Sequence, residues 1–592
     1  MAENGANPRS DPVTTELVRN GVMAVTEEMK TNLMRTAYNM IIYEALDFTV
    51  GLFTAKGETV SIGLGLPMFI RGMAETLRAK LAHFGTDGIE PGDILVTNDA
   101  YVTGSHLNHI TLSLPIYHEG ELVGFSCCMA HWLDIGGTLQ GITTDIYAEG
   151  LQVPILKLQR AGTLNQDLID IVAMNVRMPE RALGDLRAQL TAVRTGERGF
   201  LALIGRYGRD AVLGAIGRIM DQSETAARER TRSIPDGVYE AEAFMDDDGI
   251  DVGKEIPIVV RVEVAGEEMT IDLTDVSRQV KGFYNSGITT AYACSQVAFK
   301  CIASPTDYPI NDGSFRPLTT IIPPGRIVSA ERPAAMRSWM TFPMTIVDAV
   351  FKALAPAIPE RVAAGHHADL VMGRMNGIDP RGNKLFIGAI GPTGGGWGAK
   401  HNEDGMPATV CLNDGDTHNS PSELMEVNYP IVIERHALIP DSGGAGRHRG
   451  GLGIEYVVRA RSPLNFNSQA DRANCEPWGL EGGRAGRGNR IGLRVNGEAG
   501  PEFPNAKLFW KRIEAGDAFI VNSGGGGGFG SPLERPAGTV LDDVRQGYVS
   551  LAAARALYGV AIDAETLELD AEATERIRAA MATLESAEAQ AQ

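Results

Sequence analysis

The sequence predicts a mixed α/β (α+β), multi-domain protein: a helical plus antiparallel-sheet N-terminal half and a glycine-rich, β-rich C-terminal half. Three observations carry this. In 12–39 and 165–230 apolar residues return every three or four positions, the helical period. Runs such as Val238-Tyr-Glu-Ala, Ile258-Val-Val-Arg-Val-Glu-Val and Met269-Thr-Ile-Asp-Leu alternate between Asp/Gly turns, as antiparallel strands do. Glycine supplies 69 of 592 residues, well above the ~7% usual in proteins. It concentrates around Gly394-Gly-Gly-Trp-Gly, Gly443-Gly444, Gly450-Gly451 and Gly524–Gly528, which predicts tight turns and close backbone approach.

Taken in order, residues 1–10 are polar and read as frayed. A helix begins at Pro12, with Leu17, Val18, Val22, Val25, Met29 and Leu33 on its apolar stripe. Asp47-Phe-Thr-Val-Gly-Leu-Phe-Thr alternates and closes in the turn Ala55-Lys-Gly-Glu, giving a strand, a tight turn and a second strand. Residues 71–84 read as an amphipathic helix ending before Gly85. Gly92-Asp-Ile-Leu-Val-Thr-Asn-Asp is a short buried strand entering a polar loop. Residues 110–117 and 122–131 form two strands joined at His118-Glu-Gly-Glu. The 165–230 helices break at Pro179. Antiparallel strands fill 235–280, helices follow near 288–302 and 344–358, short strands occupy 365–535, and 541–590 is a helical tail. The resulting domains are 1–234, carrying the candidate metal site, 235–345, rich in antiparallel sheet, 346–540, glycine- and β-rich, and the tail 541–592.

Composition removes several function classes. Acidic residues number 74 and basic residues 54, a net charge of −20, so nucleic acid is not an expected partner. No run of 18 apolar residues exists, so no membrane association is expected. MAENGANPRSDPVTTELV lacks the pattern of a signal peptide. Six cysteines, at 127, 128, 294, 301, 411 and 475, form no CxxC pair, which fits a reduced, cytoplasmic protein. Gly524-Gly-Gly-Gly-Gly-Phe-Gly lacks the Gly-Lys-Ser/Thr ending of a phosphate loop; close backbone packing is the better reading. No Gly-x-Ser-x-Gly elbow supports a serine nucleophile. Cys127 and Cys128 face opposite sides of one strand, and a catalytic thiol is not expected.

The chemistry concentrates in Thr97-Asn-Asp-Ala-Tyr-Val-Thr-Gly-Ser-His106-Leu-Asn-His109 and Ala130-His131-Trp-Leu-Asp134-Ile-Gly-Gly. Three of the 11 histidines lie within 26 residues. A two-residue turn at Glu119-Gly120 sets His109 opposite Ala130, and a three-residue turn sets it opposite His131. Either way His109 and His131 are neighbours at the open end of a hairpin, and His106 enters from the preceding loop. Imidazoles bind zinc, manganese or iron, and Asp99, Asp134 or a residue from another segment supplies a carboxylate. Asp47 interrupts an apolar stretch, where a carboxylate needs a partner; on that segment alone, a strand-start aspartate facing water is preferred. His366-His367 reads as a surface pair. Asp441-Ser-Gly-Gly-Ala-Gly-Arg-His-Arg-Gly-Gly carries three basic side chains on tight turns and is a weaker candidate anion site. Asp471-Arg472 and Pro477-Trp478-Gly479-Leu480 read as a loop packed on the same region.

These blocks, with Asn311-Asp-Gly-Ser-Phe-Arg-Pro, Asp441-Ser-Gly-Gly-Ala-Gly, Pro477-Trp-Gly-Leu and the poly-Gly-Phe-Gly segment, resemble the hydantoinase B/oxoprolinase family in that family's order, from about residue 12 to about 560. The family includes the B-type subunits of ATP-dependent N-methylhydantoinases, the matching half of 5-oxoprolinases, caprolactamase, and subunits of acetone and acetophenone carboxylases. The resemblance implies a hetero-oligomer. A partner A-type subunit with an actin-like ATPase fold uses the ATP and phosphorylates the substrate carbonyl oxygen. The B-type subunit holds a divalent metal on Asp47, His106, His109 and His131, reversing the preference stated for Asp47. Catalysis falls to Asp47, His131 and Asp134, with Asp134 or Asp99 orienting a ligand histidine. His109 stands where many members carry Asp, and Trp132 where many carry a second His; a histidine-rich shell favours zinc over manganese or magnesium. The implied activity is hydrolysis of a cyclic amide. The alternatives are a subunit of an ATP-dependent ketone carboxylase and a non-catalytic assembly subunit with a structural metal.

Overall fold

The computed structural model describes residues 11–303, 309–410, 415, 417–501 and 503–591; the expectation for residues 1–10 and the cysteine at 411 lie outside the described residues. The architecture is mixed α/β with several antiparallel sheets, as the sequence predicts. The chain divides into two compact units, one of Met1–Glu240, Val259–Val347 and Asn413–His418, the other of Ala241–Ile258, Asp348–Leu412 and Asn419–Gln592.

The first unit is built on a seven-stranded sheet of β1 (Phe48–Phe53), β2 (Thr59–Leu64), β3 (Ile94–Thr97), β4 (His109–His118), β5 (Glu121–His131), β6 (Leu156–Arg160) and β7 (Thr163–Leu164), in the order β2-β1-β5-β4-β3-β6-β7. Every neighbouring pair is antiparallel. Strand alternation divides its residues between two faces. Val50, Leu52, Ile110, Leu112, Leu114, Cys128 and Ala130 lie on one face, in the main core. There α1 (Pro12–Thr36) and the long helix Pro179–Tyr207 pack. The Asp11 carboxylate accepts from Val13 N and Thr14 N, capping α1 with Pro12 at its first turn. The opposite face carries Thr49, Thr111, Ser113, Cys127 and Met129 under α2 (Gly72–Phe84), the helix expected over 71–84. The break expected near Pro179 falls between Gln166–Asn175 and Pro179–Tyr207, with a second at Gly208 before Arg209–Arg232.

A second sheet has the order β11-β10-β9-β8, from β8 (Gly237–Met245), β9 (Ile256–Ala265), β10 (Glu268–Asp272) and β11 (Leu318–Ile321). The antiparallel expectation for 235–280 holds between β9 and β10, while β11 joins parallel to β10. The helices expected near 288–302 and 344–358 are Thr289–Ala303 and Thr341–Leu354.

The second unit holds a four-stranded and a five-stranded sheet from strands between Gly373 and Asn522, followed by helices Ala537–Arg545, Leu551–Tyr558 and Ala571–Ala591. The glycines of its 524–528 segment are packed into backbone. Gly524 N donates to the Asn489 side chain, and the N–H groups of Gly525, Gly526, Gly527 and Gly528 donate to the carbonyls of Arg487, Gly451, Gly365 and Arg484. A Cβ on Gly526 or Gly527 would overlap the Trp397 or Trp478 carbonyl oxygen. With all five amides spent on protein, none is left to cradle a phosphate. Among the described residues no helix is long and apolar enough to cross a membrane.

Candidate functional site

The β4–β5 hairpin combines both turn alternatives. Its loop is the two-residue Glu119-Gly120, both at positive φ (50° and 83°), the geometry whose twist matches paired strands. Near the turn His118 pairs Glu121 and Tyr117 pairs Leu122. Ile116 then pairs Gly124, so Val123 is an extra, bulged residue. That one-residue shift carries to the open end and sets His109 opposite His131. His106 sits one turn before, its carbonyl accepting from His109 N at 3.2 Å.

Asp47 reaches the same end from β1. Phe48 pairs Ala130, and His131 N donates to Asp47 O at 3.1 Å. The preceding Leu46 has φ 59°, a left-handed conformation costly for leucine. Gly65 makes room for it: a Cβ there would overlap the carbonyl oxygens of Leu46 and Phe48. Asn39 donates from its side chain to His131 O at 3.0 Å and accepts Ile41 N, tying the strand end to the helix Met40–Tyr43.

The three imidazoles form a triangle with ring centroids 4.7, 4.9 and 5.1 Å apart. His109 is fully buried, and His106 and His131 are buried. His109 Nε2 lies 2.9 Å from Asp47 Oδ1, whose side chain keeps 19% of its exposure. His106 Nδ1 lies 3.0 Å from Arg337 O; a carbonyl only accepts, so this nitrogen carries the proton and Nε2 the lone pair. Phe69 meets His109 edge-on at 4.8 Å and stacks on Trp339 at 5.9 Å, and Trp339 lies 6.0 Å from His109. The cluster is thus walled by aromatic rings on one side and rimmed by a carboxylate. Glu149, buried, accepts from Met336 N and Arg337 N and from the Thr143 hydroxyl, and so holds the segment that presents the Arg337 carbonyl.

Asp47, His106, His109 and His131 therefore come together. Asp134 does not join them: it is buried and accepts from Gly136 N, Arg177 N and Nη1, and Met178 N, anchoring the entry to Pro179–Tyr207. Asp99 pairs with Arg332 at 2.9 Å and accepts Tyr101 N; neither aspartate hydrogen-bonds a histidine in these contacts. Trp132 points to the opposite sheet face and donates to Gln189 at 3.0 Å. His366 and His367 are buried, correcting the surface expectation. The basic side chains of the Asp441 segment face carboxylates, Arg447 on Glu534, His448 on Asp404 and Arg449 on Asp543. Phe69, Glu149, Arg337 and Trp339 were not singled out from sequence.

A metal shell needs donors converging at about 2.0–2.2 Å from one point. Among the described residues no three His, Cys, Asp or Glu side chains already stand that way: His109 Nε2 faces Asp47 and His106 Nδ1 faces a carbonyl. The donor set fits in kind. The 2.9 Å between His109 Nε2 and Asp47 Oδ1 is a hydrogen-bond distance, shorter than the ~3.3 Å between adjacent ligands of a tetrahedral ion with bonds of ~2.05 Å. His109 Nδ1 is buried without a hydrogen-bond partner. Three imidazoles and a carboxylate are the donor types a divalent transition metal takes.

The hydantoinase B/oxoprolinase family matches residues 11–532. The beta chain of the caprolactamase of Pseudomonas jessenii is 34% identical, over 96% of this chain and 99% of its own length. The B-type component of the putative D-/L-hydantoinase of Pseudomonas sp. (strain NS671) is 30% identical, over 96% and 98%. The crystal structure of ATP-dependent caprolactamase from Pseudomonas jessenii superposes with a TM-score of 0.90 at 31% identity, over 97% of this chain and 100% of that one. Acetone carboxylase, in its nucleotide-free structure, shares the fold at TM-score 0.90 and 19% identity, over 98% of this chain and 84% of that one. A match across most of the chain, with these identities over nearly full length, establishes that the chain belongs to the hydantoinase B/oxoprolinase family.

Proposed function

We propose that this chain is the metal-dependent B-type subunit of an ATP-dependent hydrolase of cyclic amides, acting on a carbonyl phosphorylated by a partner A-type, actin-like ATPase subunit. Family membership, with relatives named as subunits of caprolactamase and hydantoinase, supports the cyclic amidase class. The observation that carries the finer reading is the gathering of His106, His109, His131 and Asp47 at one hairpin end.

Those four residues would hold the divalent ion, with zinc favoured by the imidazole-rich set. When bound, it supplies Lewis-acid activation of a carbonyl or of water. Asp47, the least buried of the four, accepts the proton of the attacking water on its carboxylate. The Arg337 carbonyl accepts the Nδ1–H of His106, which leaves Nε2 to carry the lone pair of the neutral ring. Phe69 and Trp339 exclude bulk water from the buried side, which strengthens every charge interaction inside. The glycine segment offers no free amide to a nucleotide phosphate, in keeping with ATP being handled by the partner.

The test is reconstitution. The chain is co-expressed with its partner ATPase, assayed for metal content, and scored for ATP-dependent opening of lactams, hydantoins and 5-oxoproline. Stoichiometric metal and loss of turnover in His131→Ala are expected. Full activity in that variant with no bound metal refutes the reading. Incorporation of labelled bicarbonate into product identifies a carboxylase instead. Turnover by the partner alone, with unfolding of this chain on chelation, identifies a structural metal.

A further inference from the structure

The second unit carries another buried polar cluster, and it uses residues the histidine triangle does not. Helix Thr341–Leu354 presents Asp348 and Lys352 one turn apart. Asp348 Oδ2 receives His366 N at 3.2 Å, sits 2.8 Å from His366 Nδ1, and receives Arg472 Nη1 at 3.0 Å. Arg472 Nη1 also donates to His366 O at 2.6 Å. Arg472 is 1% exposed and holds a left-handed φ of 51°, a strained conformation of the kind that persists where the surroundings enforce it.

One edge of the guanidinium is spent on Asp348 and the His366 carbonyl. The other, Nε and Nη2, is buried with no hydrogen-bond partner. That edge is the two-pronged fork that matches the two oxygens of a carboxylate. Arg472 Cζ lies 4.9 Å from the centre of the Trp478 ring, and the indole Nε1–H of Trp478 is a further buried donor without an acceptor. Lys352 Nζ lies 4.7 Å from the same ring. Buried donors without acceptors are rare because they forfeit hydration for nothing. Arg472 has Asp348 as its one carboxylate in these contacts, because the neighbouring Asp471 is committed to Lys507 at 2.5 Å and to the backbone of Asp246, while the half-exposed Lys352 donates to the Glu242 carbonyl.

We infer that the Nε–Nη2 edge of Arg472, with Trp478 Nε1, binds the carboxylate of a small organic anion inside the second unit. A planar carboxylate matches the two-pronged geometry of that edge. A phosphate dianion would bring twice the negative charge beside the buried Asp348 carboxylate. The inference is independent of the proposed function.

The experiment is equilibrium dialysis of labelled acetate against the full-length chain at constant ionic strength set with chloride, and with inorganic phosphate as competitor. Wild type binds acetate saturably at one site. Trp478→Phe keeps the ring and its stacking on Arg472 but removes the N–H, and weakens binding about tenfold, with an unchanged circular dichroism spectrum. Arg472→Lys keeps the charge but loses the fork, and weakens it further. A wild type without saturable acetate binding overturns the inference. So do unaltered affinity in Trp478→Phe, phosphate displacing acetate at lower concentration than acetate itself, and a crystal structure in acetate showing only water on the Nε–Nη2 edge.

Discussion

Lys80 offers the sharpest physical test of the first unit. It lies on α2, is fully buried, and points into the sheet. Its Nζ lies 3.1 Å from both Thr111 O and Ser113 Oγ, 3.3 Å from Thr111 Oγ1 and 3.4 Å from Leu95 O. All these partners are neutral. Burial therefore pushes the ammonium down from its ordinary 10.5 to about 7. The neighbouring Cys127 thiol is pushed up to about 11 by burial, so it offers no anion over most of that range. Between about pH 7 and pH 10.5 the unfolded chain binds a proton at Lys80 that the folded chain does not, so stability rises with pH across that window. The gain is complete above the unfolded value and is lost as pH falls through the folded one. Each unit is about 1.4 kcal/mol. Lys80→Met has the length to fill the slot and nothing to titrate. The unfolding free energy of wild type minus that of the variant should therefore grow by about 2–3 kcal/mol from about pH 7.5 to about pH 9.5. Urea titrations of both proteins across that range measure it, and other titrating groups cancel in the difference. A flat difference refutes the argument that Lys80 is held neutral.

Three further outcomes follow from the site. Asp47→Asn keeps an oxygen for His109 but cannot take a proton, so kcat of the reconstituted complex should fall about 100-fold or more with the fold retained by circular dichroism. Gly65→Ala drives a methyl into the Leu46 and Phe48 carbonyls; it should cost about 1–3 kcal/mol in urea unfolding and lower kcat through the displaced Asp47. Glu149 is buried, and burial raises its carboxyl above the ordinary range despite the donors around it. Glu149→Gln halves its acceptors, and should cost about 1–3 kcal/mol and lower kcat by loosening the Arg337 carbonyl from His106. An unfolding curve and a kcat both unchanged in that variant would show that the 149–337 link does not position the histidine.

How much was legible depends on whether a residue's role is written in local pattern or in chain path. The hairpin was legible, because alternation and a Glu-Gly turn are short-range signals, and so was the neighbourhood of His109 and His131. Its register was not, since the deciding residue is Val123, a buried valine whose bulge leaves no mark on an apolar run. Asp47 read as a solvent-facing strand start because the paired strand that receives it lies some eighty residues away. Asp134, inside the same short block as His131, read as its helper. Yet beyond the strand end the chain turns to the Pro179 helix, where Arg177 and two further backbone amides claim the carboxylate. His366 and His367 read as a surface pair because polar residues beside glycine usually are. They are buried because the glycine packs on Trp478, the Gly527 N–H bonds the Gly365 carbonyl, and Arg472 and Asp348 satisfy His366. The Arg337 carbonyl was beyond reach in principle, since a backbone oxygen has no residue type. What distinguishes the two histidine clusters is therefore their source of order. The triangle is assembled by strand pairing, which sequence periodicity reports. The Asp348–His366–Arg472 group is assembled by glycine packing, which periodicity does not report, and there the unmatched donors of Arg472 became visible only once the chain path was known.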